Sequence, residues 1–600
     1  MQHFADNECA TPVASNVVRR DRRSSQRRAV APTSWVDRGA CGDGVVEIPE
    51  QGTSMDTSGI PEGEQLYLFT GGTILTVDRA FSIAEAIAVQ GNRIVAVGAE
   101  ATVRDIVGVG ATEIDLAGRT MLPGFVDAHT HVLTGSMVAA LMEYVGMARF
   151  ATVREVLDHL TDMARQAPEG KWILARNFDP AVQPDLAALT FAELDAVSTA
   201  HPVFVLNASG HIAYANSAAF AAAGIGEDVE DPDGAEFVRD ADGKLTGTMK
   251  NGVAYNQVLG KCDAAAGLNP VDALIDLLEG WRQVGLTTVS ELGLGTLSHT
   301  PDDLTVLTQA AGTGNLKTRI RAYSFYTLGT DTWDAAGVRP GDGDALVRIA
   351  GYKLVADGSN QGFTGLQREP YLDTDNYGIA YMEPKVLAAE AVDRASKGWS
   401  LAIHGNGDAG IDNILDACDA IRDAGVEPGA ARVRIEHCSI LHDEQITRMK
   451  DLGVSASFLI GHVHYWGIAM RDTVFGTQKA LLLDRCRSVE AAGIGFTLHS
   501  DFMVTDPHPL HMIEMAVTRR TWKEPDYVLA PEERISVESA IRAVTSEAAW
   551  QLSSEHEVGS LEVGKYADFV ILDQDPRAVP PDQIKDITVL ETWMNGNQVY

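Results

Sequence analysis

The chain has 600 residues, 45% hydrophobic and 22% charged, the balance of a soluble globular enzyme large enough for more than one domain. Its formal net charge of −35 argues against nucleic acid as a partner, because phosphates would be repelled. No stretch approaches the roughly 20 apolar residues that cross a bilayer, and six cysteines without paired spacing point to a reducing compartment. The expectation is a cytoplasmic protein with a small-molecule substrate and no membrane partner. A homodimer is the default for its assembly.

Near the N-terminus, Arg19-Arg20-Asp21-Arg22-Arg23 and Arg27-Arg28 are followed by no apolar segment. An export signal needs that segment, so residues 1–63 read as a disordered extension, with a transit peptide as the weaker reading. Met55 stands just before the first strand pattern, which makes a translated upstream extension a further account of this stretch.

Short strands then follow: Leu66–Val77, Ala86–Gln90 and Arg93–Val97 about the turn pair Gly91-Asn92, and Thr112–Leu116. The far end is alike, with Ala567–Leu572, Val589–Trp593 and Gln598–Tyr600. Two β-rich ends, 64–122 and 556–600, predict one small β-sandwich built from both termini.

Between them, 123–555 alternates strand and helix patterns. Strand candidates are Val203–Leu206, Leu286–Ser290, Arg319–Tyr323, Ile349–Lys353, Leu401–Ile403, Val433–Ile435, Val454–Phe458 and Gly495–Leu498. Helical patterns run over Val271–Val284, Val386–Ser396 and Asp412–Ala424. Alternation of this length predicts an α/β fold, a (β/α)8 TIM barrel. The span of about 149–260 is too long for one crossover and reads as an insertion over the barrel mouth.

The stretch Leu122-Pro-Gly-Phe-Val-Asp-Ala-His-Thr-His131 reads as a buried strand ending in two histidines. Strand side chains repeat every second residue, so His129 and His131 project to one side, close enough to hold one metal ion. A solvated loop with two histidines is the competing reading of this motif alone. Lys353, His404, His437 and Asp501 close four further runs. If His129 and His131 end strand 1, these fit strands 4, 5, 6 and 8, at the barrel end where chemistry collects.

Those segments, with Lys353-Leu-Val-Ala-Asp-Gly-Ser359, Ile403-His-Gly-Asn-Gly-Asp408, Ile435-Glu-His437, His499-Ser-Asp501 and Gly559–Asp568, resemble the amidohydrolase superfamily. Asn207–Asn216 and His464-Tyr-Trp-Gly467 are similar to its amidohydrolase-3 branch, which includes the N-substituted formamide deformylases. The resemblance implies metal ligands at His129, His131, His404, His437 and Asp501. Zinc is the default metal, because imidazole and carboxylate ligands suit it. Lys353 can join them only as a carbamate, which would bridge two ions; a plain lysine beside one zinc is the alternative, and the bridged pair is favoured.

The implied reaction is hydrolysis of a non-peptide C–N bond by metal-activated water, with Asp501 as general base and then acid. His211 and His464 are the candidates for a donor to the reacting oxygen, each equally readable as a structural histidine. His462 reads as a bystander. Tyr465, Trp466 and Trp172 are candidate substrate walls, with packing the competing reading; for Trp172 and Asp179, inside the insertion, packing comes first. The sequence departs from relatives at Ser209, where an aspartate is common, and at Glu291, where Asp is more usual. A deaminase or ester hydrolase is the nearest alternative, and a metal-free regulatory protein with a retained barrel is one of another class.

Overall fold

The computed structural model describes residues 65–600, apart from 184, 185, 187 and 233. The extension expected over 1–63, with its arginine runs and Met55, lies outside the described residues.

The run Leu122–Ala128 is two strands and not one: Thr120–Pro123 and Phe125–Asp127 belong to different sheets. Gly124 is the pivot. A Cβ there would lie 2.2 Å from the Thr287 hydroxyl oxygen, so only glycine allows this close approach.

From the pivot the chain enters an eight-stranded parallel barrel. Its strands, in order, are Phe125–Asp127, Leu286–Leu294, Arg319–Phe325, Val347–Val355, Leu401–Gly405, Arg434–His437, Ser455–Phe458 and Phe496–Leu498. They are buried on both faces, which is why they read as apolar runs without alternation. Covering helices Pro270–Arg282, Pro384–Ser396 and Asp408–Asp423 begin before the expected Val271, Val386 and Asp412. In the first two a proline opens the helix, a position that needs no N–H. Strands 1 and 8 close beyond their ladders. Ser500 Oγ donates to Asp127 Oδ2 at 2.6 Å, and Asp501 N–H donates to the His129 carbonyl at 3.0 Å.

Between barrel strands 1 and 2 the insertion forms a six-stranded sheet of its own. It starts at Glu143–Tyr144, before the expected 149, and continues through Ile173–Phe178, Val203–Asn207, Ile212–Ala215, Leu245–Lys250 and Glu236–Arg239. Val203–Leu206 is therefore a strand of the insertion and not of the barrel. Val203 and Val205 pack with Val156, Leu160 and Leu194 on one face, whereas Phe204 and Leu206 pack with Phe220 and Met249 on the other. A strand covered on both sides looks the same in sequence wherever it sits.

The chain ends form two further sheets. Leu66–Val77 breaks at Gly71, where φ is +73, into Leu66–Thr70 in the four-stranded sheet and Thr73–Leu75 in the six-stranded one. Phe569–Leu572 pairs antiparallel with Thr120–Pro123, so the two termini share one sheet. Phe69, Ile74, Met121, Phe569 and Trp593 form the core between the sheets. Arg319 on barrel strand 3 donates to Asp568 at 2.7 Å, tying barrel to sandwich. Among the described residues, no helix is long and apolar enough to cross a membrane.

Candidate metal centre

His129 and His131 follow the end of barrel strand 1, and His131 caps the helix Val132–Leu141. Lys353 lies on strand 4, His404 on strand 5 and His437 at the end of strand 6; Asp501 follows strand 8. The fold brings these six side chains to one end of the barrel. His129 Nε2 and His131 Nε2 lie 3.2 and 3.3 Å from the same oxygen, Asp501 Oδ1. His437 Nε2 is 3.8 Å from Asp501 Oδ2 and 2.9 Å from His404 Nδ1. Two residues depart from strand geometry to do this: His437 at φ +66 and Asp501 at φ +50 hold the left-handed conformation. Such strain in a non-glycine residue collects at functional sites.

Carboxylates and carbonyls behind the ring set the tautomers. Glu436 Oε2 lies 2.5 Å from His129 Nδ1, so the Nδ1 proton is donated there and Nε2 keeps its lone pair for the centre. Burial opposes ionisation of Glu436, but Arg434 and His129 outweigh it and hold the carboxyl well below the usual range. His404 Nε2 donates to the Gly358 carbonyl at 3.0 Å, which leaves Nδ1 facing the centre. Buried Asp357 shapes the loop beside it, accepting from the Asn406 and Gly407 N–H groups at 2.9 and 2.8 Å.

The donor set fits a divalent cation. The ligand atoms of His129, His131 and Asp501 lie within 4.8 Å of one another, as do those of His129, His437 and His499. Buried His437 Nδ1, His499 Nδ1 and Lys353 Nζ have no hydrogen-bond partner, a costly state for polar atoms. Burial is also the main influence on Asp501, but His129 and His131 overcome it and hold the carboxylate well below its ordinary range. Burial pushes the Lys353 amine down to about 8.

The remaining candidates separate. His211 reaches the centre: its ring is 5.6 Å from that of His404, and its Nδ1 lies 3.4 Å from the Tyr381 hydroxyl. Ser209 turns the chain towards it, its hydroxyl accepting from the His211 N–H at 3.2 Å. His464 faces elsewhere. Its Nδ1 pairs with the Arg520 carbonyl at 2.9 Å and its ring lies against Tyr465 and His511. Among the described residues, none of its contacts involves the histidine cluster. The neighbouring His462 packs on His437 and lies 3.2 Å from Ser439 Oγ. Helix-like winding over His462–Trp466 explains this exchange, because alternate residues do not share a face there.

Trp466 is fully buried and donates to Asp179 Oδ2 at 2.7 Å, so both pack between insertion and barrel. Trp172 joins the insertion's core, and Tyr465 is half-buried against Trp466. Glu291 accepts from the Leu133 and Gly293 N–H groups, both at 2.6 Å, and holds the chain after His131. Glu436 and His499 stand in quoted motifs, yet their parts were not anticipated. Glu436 adjoins His437, and strict alternation would have sent them to opposite sides; the positive φ at His437 breaks that rule.

Residues 112–600 match the family model described as amidohydrolase family. The chain is 30% identical over 547 residues to an N-substituted formamide deformylase of Arthrobacter pascens, covering 88% of this chain and 97% of that one. It is also 30% identical to Protein LONG AFTER FAR-RED 3 of Arabidopsis thaliana, covering 89% and 91% of the two chains. A metal-dependent hydrolase of Pyrococcus horikoshii shares the fold, with a TM-score of 0.67 at 22% identity over 86% of this chain and 99% of that one. The barrel, the histidine and aspartate cluster at its mouth and these likenesses agree, and the chain belongs to the amidohydrolase family, hydrolases that act on carbon–nitrogen bonds.

Proposed function

We propose that this protein hydrolyses a non-peptide amide bond of a small molecule at a zinc centre. His129, His131, His404, His437 and Asp501 would hold the metal, with Lys353 bridging two ions as a carbamate. The convergence of His129 Nε2 and His131 Nε2 on one Asp501 oxygen carries this reading. The likeness to a formamide deformylase supports an N-acyl amine as substrate.

Bound there, a divalent cation supplies an acidified water, its pKa lowered from 15.7 towards about 7, and polarises the scissile carbonyl. Asp501 receives the proton of the attacking water and passes it to the leaving nitrogen, so the amine departs neutral. Glu436 and Arg434 keep His129 in one tautomer and one orientation throughout. His211, whose ring lies 5.6 Å from that of His404, would donate to the carbonyl oxygen as charge gathers there. With the Tyr381 hydroxyl, 3.4 Å away, as donor to His211 Nδ1, the Nε2 proton would be free for that purpose. His464 has no part in this scheme.

The test is elemental analysis of the purified protein, followed by a screen of N-formyl and N-acyl amines with the zinc-loaded chain. Near-stoichiometric metal and release of a primary amine are expected. Metal-free protein that stays inert after zinc loading would leave the regulatory alternative standing.

A further inference from the structure

His462 is no ligand in the scheme above, and it follows barrel strand 7, which supplies none of the proposed ligands. It nevertheless ends a hydrogen-bond chain that begins beside one of them. Asn406, two residues after His404, donates from Nδ2 to the Gly358 carbonyl at 2.9 Å. The same oxygen accepts from His404 Nε2 at 3.0 Å. Ser439, two residues after His437, has its hydroxyl 2.7 Å from Asn406 Oδ1 and 3.2 Å from His462 Nδ1. All four side chains are buried, so no water stands in for a missing member.

The direction of each proton follows from what each group can donate. A carbonyl only accepts, so the Asn406 amide must turn Nδ2 to Gly358 and Oδ1 to Ser439. That Oδ1 also only accepts, so the one hydroxyl proton of Ser439 goes there. Ser439 Oγ then offers lone pairs alone to His462, whose Nδ1 must carry a proton and donate it. The chain runs one way, from His462 through Ser439 and Asn406 to Gly358, where it meets His404 at a shared acceptor. Bonds aligned like this in a dry interior strengthen one another. The Asn406 backbone is held as well, its N–H donating to Asp357 Oδ1 at 2.9 Å and its carbonyl accepting from Asn360 Nδ2 at 3.1 Å. The His462 ring also lies 6.3 Å from that of His437, the neighbour of His404 in the centre.

We propose that His462 is a positioning residue of the metal centre, holding the His404 ring in place through Ser439 and Asn406. This rests on the reading of His404 as a metal ligand and is independent of which bond is hydrolysed. Strand 7 thereby serves the centre without lending it a ligand.

The experiment titrates the cobalt-loaded full-length chain with a chelator and follows the visible absorption of the metal. Two substitutions separate the hydrogen bond from packing. His462→Leu keeps apolar bulk and loses the donor, whereas His462→Asn loses the ring and keeps an N–H where Nδ1 stood. His462→Leu should weaken cobalt binding by about 10-fold, the low end for losing a ligand's support, and His462→Asn by less than about 3-fold. Ser439→Ala should resemble His462→Leu. The double variant should be no weaker than the worse single one, because the chain is already broken. Circular dichroism checks that each variant is folded. Asparagine tolerated less well than leucine indicates packing and overturns the proposal, as do additive losses in the double variant or an affinity that none of the changes moves. A chain that takes up no cobalt overturns it too. No substrate enters the measurement, so a failure of the amide reading leaves this test intact.

Discussion

His129 Nδ1 lies 2.5 Å from Glu436 Oε2, and the other oxygen of that carboxylate is taken by Arg434 Nε. All three side chains are buried, so the relay has no water to replace a missing member. A ligand imidazole oriented in this way depends on its partner for tautomer and basicity. Glu436→Gln should weaken zinc binding by about 10- to 100-fold, the usual consequence of losing such a partner. Competition with a chromogenic chelator measures this directly. Unchanged affinity would mean that the His129 ring is held by packing alone.

His129→Ala and Asp501→Asn should abolish hydrolysis and leave the chain folded. The barrel is held by a separate apolar core that includes Val289, Ile320, Leu354, Ile403 and Ile435, none of which touches the chemistry. Circular dichroism and the thermal midpoint of both variants check the separation. Global unfolding of both would show that site and scaffold are one unit.

The outline of the barrel was legible because its strands end in chemistry-bearing residues. His404 to His437 spans one β/α unit, and the observed strands 5 and 6 are adjacent. The divided run at Gly124 was not legible, because the obstacle is Thr287, distant in sequence. His464 failed for another reason: the chain winds as a helix over His462–Trp466, so residues two apart face different ways and His462 is the one that meets His437. Glu436 was hidden by the reverse problem, a strand whose last residue turns left-handed.

Gly124→Ala should destabilise the protein by about 1–3 kcal/mol, the cost of overpacking a tight contact. The added methyl would sit 2.2 Å from Thr287 Oγ1 and 2.4 Å from its Cγ2. Adding Thr287→Ala removes both atoms, so the double variant should recover part of the loss. Denaturant unfolding of the four-member cycle reads the coupling. Simple additivity would place the cost elsewhere than in this contact.

Arg319 and Asp568 form a pair in which both side chains are buried, between barrel strand 3 and the sandwich. Arg319 also donates to the Ala345 carbonyl at 3.0 Å. Arg319→Met should cost about 3–5 kcal/mol, because it strands the Asp568 charge in the interior. Pairing it with Asp568→Leu should restore much of that, since two apolar residues leave no charge uncompensated. An urea melt in which the double variant is the least stable of the set would contradict this account.

Lys353 decides between one metal and two. Its side chain is 2% exposed and its Nζ has no hydrogen-bond partner, so an unmodified ammonium there would be desolvated and unpaired. Burial pushes the amine down to about 8, which leaves roughly a tenth of it neutral near pH 7, able to capture carbon dioxide. Carboxylation would turn an unsatisfied cation into a two-oxygen ligand beside His404 and Asp501. On that account Lys353→Ala loses most activity and roughly half of the bound metal, as expected when a two-metal site loses its bridge. Short carboxylates such as formate or acetate, added to the variant, should restore part of both. A mononuclear centre gives another pattern: full metal content, reduced activity and no response to added carboxylate. Mass spectrometry of the native holoprotein offers an independent reading, because the carbamate adds one carbon dioxide that acid releases. Absence of that added mass, together with one zinc per chain, defeats the bridged centre and leaves the amide hydrolase in place.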